Sequence, residues 1–168
     1  GFVPYRGADT YTFVDKTDIY PSSKSYYYQG TIKDSCGNTR TVSNIVKSIL
    51  LKITDDQEFI FTKHLSWSNY IGFAAGVESY DIFRVLSDST NVELVGNSGL
   101  FSTTFTEDLE FAAEKGSKIE YFVEAVEASG NPYGFVSRAG SNKHPVYIEG
   151  RIFIPEAFAP HGKNKVWR

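Results

Sequence analysis

The segment YYYQGTIKDSCGN (26–38) recurs as IEYFVEAVEASGN (119–131). Tyr28 falls on Tyr121, Asp34 on Glu127, Gly37 on Gly130 and Asn38 on Asn131, each 93 residues later. Upstream, TFVD (12–15) falls on TFTED (104–108), and downstream Val42-Ser43 falls on Val136-Ser137. The offset therefore stays between 92 and 94 across three separated blocks. A period this long means tandem domains and not a solenoid, whose units are far shorter. Counterparts of Trp67 and Tyr80 would lie before residue 1, so the first unit is expected to be incomplete and the chain to be part of a longer product. The absence of any Met fits that expectation.

Local patterning is β. Ile119, Tyr121, Val123 and Ala125 alternate with Glu120, Phe122, Glu124 and Val126, and a period of two puts the first set on one face of a strand. Leu65 and Trp67 alternate with Ser66 and Ser68, and Tyr80 and Ile82 alternate with Asp81 and Phe83. Aromatics make up 15% of the chain, which favours pleated surfaces where stiff flat rings pack well. Turn residues punctuate the runs at 97–99, 115–117 and 129–132, and only Leu109–Glu114 suits a helical turn. Short strands separated by turns predict an all-β chain of tandem antiparallel, immunoglobulin-like sandwiches, the first incomplete. The expected core of the complete unit is Leu65, Trp67, Tyr80, Ile82, Tyr121, Val123 and Ala125.

Several function classes find no support. A net charge of −3 supplies no field for nucleic acid or an anionic membrane, and no apolar run is long enough to span a bilayer. No GxSxG, HExxH, phosphate-loop or CxxC motif is present, so neither catalysis nor a cofactor is expected. His64, His144 and His161 lack metal-ligand spacing, which leaves no metal site in view. The pairs Asp55-Asp56 and Glu107-Asp108 read as solvated turns, because neighbouring strand residues point to opposite faces and cannot act together as acid and base. Cys36, the single cysteine, reads as a small buried hydrophobe; its alternative is half of a disulfide with a partner outside the sequence.

LSW (65–67), YDIFR (80–84), TTFTED (103–108) and YFVEAVEASGN (121–131) resemble a fibronectin type III domain. The resemblance implies a Trp on the second strand, a Tyr on the third, and a Y-x-V-x-A run on the sixth. It also implies a corner tyrosine whose hydroxyl ties a loop to the sheet. That position is Ile119 in the second unit and Tyr26 in the first. The expected organisation is the C-terminal part of a first domain over 1–53, a complete domain over 54–149, and a linker with the first strand of a sorting domain over 150–168.

The closing segment IPEAFAPHGKNKVW (154–167) is similar to the start of the C-terminal domain of gliding-motility-associated Bacteroidetes surface proteins, the type B cargo signal of type IX secretion. Pro155, Ala157, Phe158, Pro160, Gly162, Asn164, Val166 and Trp167 carry the similarity. His161 replaces the usual Asn, and Lys163 and Lys165 stand where acidic residues are common, which removes any case for a calcium loop there. The resemblance implies a non-catalytic spacer or adhesion fragment of an exported protein, with the type IX machinery as one partner and a surface glycan or protein as another. The alternative is a carbohydrate-binding module accompanying a secreted glycan-degrading enzyme. For either ligand the sequence points to Tyr27, Phe83 and Phe122, which alternation turns away from the core; the alternative, which the residues favour, is that these rings pack against a neighbouring domain or a longer loop.

Overall fold

A computed structural model describes residues 12–86, 91–112, 117–132 and 134–149. The described residues are all-β, with one 3-10 turn among them over Glu110–Ala112. Two strands, β1 (Tyr27–Lys33) and β2 (Thr39–Lys47), form an antiparallel hairpin. Eight more follow: β3 (Leu51–Asp55), β4 (Thr62–Trp67), β5 (Val77–Leu86), β6 (Val92–Gly99), β7 (Thr104–Asp108), β8 (Ser117–Glu127), β9 (Arg138–Gly140) and β10 (His144–Ile148). Strands β3, β4 and β7 make one sheet; β10, β8, β5 and β6 make the other, with β9 continuing the β10 edge along β8. Every pairing within these sheets is antiparallel.

The alternating residues build the core between the two sheets. Tyr80 and Ile82 of β5, Leu65 of β4, and Ile119, Tyr121, Val123 and Ala125 of β8 are almost wholly buried, and Trp67 packs against Tyr80 with ring centroids 5.7 Å apart. Each large apolar side chain buried this way contributes about 1.5–3 kcal/mol. Leu109 closes one end of the core just before the 3-10 turn. Gly96 of β6 lies over the Phe105 ring of β7, where a Cβ would come within 2.6 Å of Phe105 Cε2. Glycine there lets the edges of the two sheets approach.

Two boundaries differ from the sequence reading. Strand β3 crosses the expected domain limit at 53/54, and Ile49 and Leu51 belong to the core, so the sandwich begins near residue 49. Asn97–Gly99 ends strand β6 and is not a turn; the chain reverses at 100–102, where the Ser102 N–H donates to the Gly99 carbonyl.

The repeat has a physical basis. In the first unit Asp34 accepts the backbone N–H of Cys36 and of Asn38 and the Asn38 side-chain amide; in the second, Glu127 accepts the Asn131 amide at 2.8 Å. Gly37 and Gly130 both take a positive φ, 85° and 93°, which only glycine adopts without strain. The hairpin β1–β2 is thus the counterpart of the hairpin that β8 makes with β9. It is joined to the sandwich by hydrogen bonds from the Lys47 N–H to the Ile71 carbonyl and from the Asn44 amide to the Gly72 carbonyl.

Candidate binding surfaces

The three residues singled out for binding fall in two places. Phe83 of β5 and Phe122 of β8 are cross-strand partners on the outer face of the larger sheet. Their rings stack on each other, with centroids 5.0 Å apart and an interplanar angle of 15°, and Lys143 Nζ lies 5.8 Å from the Phe122 centroid. Both rings are half-buried, so a good part of their faces is taken up by each other and by the lysine. Tyr27 stands apart on the hairpin, 64% exposed, opposite Lys47. The sorting-motif residues Pro155, Ala157, Phe158, Pro160, Gly162, Asn164, Val166 and Trp167 lie outside the described residues, as does His161.

Sequence reasoning passed over the end of the sandwich where three loops meet. Residues 68–76, 100–103 and 128–137 join β4 to β5, β6 to β7 and β8 to β9. Glu127, 2% exposed, anchors this end by accepting hydrogen bonds from the Ala75 N–H, the Asn131 amide and the Ser137 N–H. Burial opposes its charge, but those donors outweigh burial and hold the carboxyl below the usual range. Beside this anchor lies a cleft of about 380 Å³ lined by Asn69, Tyr70, Val77, Tyr80, Leu100 and Phe101, with Thr103 on its wall. The Tyr70 N–H donates to the Tyr80 hydroxyl at 3.1 Å, and the Tyr70 ring packs on Phe73 at 4.3 Å, which fixes the loop. Phe101 is 98% exposed at the tip of its turn. Its signal was an apolar pair, Leu100-Phe101, in a turn that has no core to fill.

Charged groups also differ from the sequence reading. Glu107 is not in a solvated turn: it lies on the Phe105 face of β7, its side chain 15% exposed, and meets Arg84 of β5. The Tyr121 hydroxyl donates to Glu107 Oε2 at 2.5 Å, a bond from one sheet to the other. Burial, then the hydrogen bond and charge of Glu107, push the Tyr121 phenol far above its ordinary range. The alternation Phe105, Glu107, Leu109 carried this placement, because every second residue of a strand shares a face. Asp108 caps the 3-10 turn through the Glu110 N–H, Asp55 pairs with Lys63, and Asp56 with His64, whose other ring nitrogen meets the Thr106 hydroxyl.

Cys36 is exposed and unbridged rather than buried, because the Asp34-anchored turn holds it at the tip of the hairpin. Among the described residues, no group of three or more His, Cys, Asp or Glu is placed to hold a metal ion. No helix among them is long and apolar enough to cross a membrane.

No family model and no curated protein matches the chain. Among solved structures it is similar to a pectate lyase of Erwinia chrysanthemi in complex with tetragalacturonic acid, at 16% identity and a TM-score of 0.41, over 58% of this chain and 27% of that one. It is also similar to a pectate lyase of Pectobacterium carotovorum, at 22% identity and a TM-score of 0.41, over 67% of this chain and 29% of that one. The chain thus spans under a third of the length of either enzyme. At these scores the likeness assigns neither a fold family nor an activity.

Proposed function

We propose that this chain is a non-catalytic spacer and adhesion segment of an exported cell-surface protein, built from fibronectin type III-like modules and carried out by the type IX secretion system. The observation that carries the reading is the recurrence of one hairpin design, β1–β2 and then β8–β9, at a constant offset along the chain. Tandem modules of one design space and present surfaces. The module type is supported by position: counting from β3, Trp67 stands on the second strand, Tyr80 on the third, and Tyr121, Val123 and Ala125 on the sixth. It is further supported at the corner of the first unit, where the Tyr26 hydroxyl accepts the Tyr20 N–H at 2.7 Å. In the second unit Ile119 fills the equivalent corner as a fully buried side chain. Export rests on the similarity of residues 154–167 to a cargo signal.

The test is the parent gene. Roughly ninety further codons after Arg168 encoding the rest of a sorting domain are expected, that being the size of a small sandwich. An open reading frame that instead continues into further modules with no such domain would refute the export reading.

A further inference from the structure

The cleft between the β4–β5 and β6–β7 loops has the chemistry of a sugar site, and we infer that it binds a neutral glycan. This goes beyond the spacer reading and holds whether or not the chain is exported. All seven lining residues are uncharged, so the cleft favours no ionic ligand. Its volume, about 380 Å³, lies at the small end of ligand sites, which span roughly 300–1,000 Å³, and suits one or two sugar rings. A pyranose offers an apolar face of C–H groups and a rim of hydroxyls, and the cleft offers a match for each. Phe101 is 98% exposed and stacks on no other ring among the described residues, so its faces are open to a C–H face. The Asn69 amide and the Thr103 hydroxyl make no hydrogen bond among the described residues, and both residues border the cleft. An amide and a hydroxyl both donate and accept, as recognition of sugar hydroxyls requires. The frame is set before ligand arrives, because Tyr70 is tied to Tyr80 and Glu127 pins the neighbouring loops. A prebuilt frame lowers the ordering cost of binding.

The stacked pair Phe83 and Phe122 is a poorer platform, since each ring covers a face of the other.

The experiment is an amide NMR titration of the 168-residue chain with neutral gluco-, xylo- and manno-tetraose, and with a uronic-acid tetramer of equal length. A saturable response to a neutral tetraose, confined to residues 68–77 and 99–103, is expected, with a weaker response to the charged tetramer. Phe101→Ala is expected to weaken that binding about tenfold or more. Asn69→Ala weakens it as well, whereas Phe59→Ala, outside the cleft, leaves it unchanged. Phe101 is exposed enough that its removal leaves the melting temperature unaltered, which separates lost binding from lost folding. The proposal is overturned if no neutral tetraose saturates the cleft at about 10 mM, a concentration that fills even a millimolar site. It is also overturned if Phe101→Ala binds as the parent does, or if apolar peptides saturate the cleft and sugars do not. The last result would assign the cleft to a protein partner. None of these outcomes bears on export, which the parent gene tests separately.

Discussion

Removing the Tyr121 hydroxyl is expected to loosen the two sheets from one another. Tyr121→Phe keeps the ring, its rotamer and its packing, and deletes only the bond to Glu107 Oε2. No cavity of note opens, so the cost is polar. A hydrogen bond to a charged acceptor contributes about 1.5–3 kcal/mol, and an acceptor left without a donor costs about 1–3 kcal/mol. Glu107 keeps Arg84 through its other oxygen and remains 15% exposed, which places the loss near 2 kcal/mol and not at the sum of those ranges. For a domain of this size that is roughly an 8–12 °C fall in melting temperature. Urea unfolding followed by tryptophan fluorescence measures it, since Trp67 lies in the core. Tyr147→Phe is the control: Tyr147 is 70% exposed, and its variant should stay within about 0.5 kcal/mol of the parent. A double-mutant cycle with Glu107→Gln should return a coupling of about 1–2 kcal/mol. A Tyr121→Phe chain within about 0.3 kcal/mol of the parent would refute the inter-sheet bond. The same bond sets an alkaline signature. The folded-state phenol is raised, so the native chain retains a proton that the unfolded chain loses. Its stabilisation is whole below the unfolded value, about pH 10, and is lost as pH rises above it.

Other perturbations probe other parts of the molecule. Gly96→Ala should cost about 1–3 kcal/mol through the clash of its Cβ with the Phe105 ring, and Phe105→Leu in the same chain should recover part of that loss in thermal melts. Asp56 titrates at about 2, held there by the His64 hydrogen bond and then by the N–H groups of Phe59 and Glu58. A depressed carboxyl stabilises above its unfolded value, near 3.9, and that contribution is lost as pH falls towards 2, so Asp56→Asn should flatten the acid limb of a urea-midpoint profile between pH 2 and 5. Gly72 has φ 145° and sits against Val46, where a Cβ would come within 2.5 Å of Cγ1, so Gly72→Ala should part the hairpin from the sandwich. Hydrogen exchange at the Lys47 amide, which donates to Ile71, should then speed up by about tenfold or more.

Much of the fold could be read from the residues because period-two alternation fixes which face each side chain takes. All seven expected core residues are buried, and each stands on the face the alternation assigned. The start of the sandwich was less legible. Leu51 joins the core from a strand of five residues and Ile49 from an isolated bridge to Ser141, both too short for alternation to show. Gly99 reads as a turn residue, yet ends a strand, since pairing with Ser79 outweighs local preference. Cys36 misled because composition favours burial of a free thiol, whereas the Asp34 turn decides its position. The loop-end cleft was illegible for a different reason: Asn69 lies far in the chain from Leu100 and Thr103 and meets them only through the pairing of β4 with β7 and of β5 with β6.

The central claim, that this sandwich stands outside the cell as type IX cargo, is tested most directly by shaving intact cells of the source organism with protease. Antibodies against residues 49–149 report the result, with the same blot run on a strain lacking type IX secretion. The account predicts that the sandwich is cleaved from normal cells and retained, uncleaved, inside the deficient strain. Protection from protease in both strains, or cleavage in both, would contradict it.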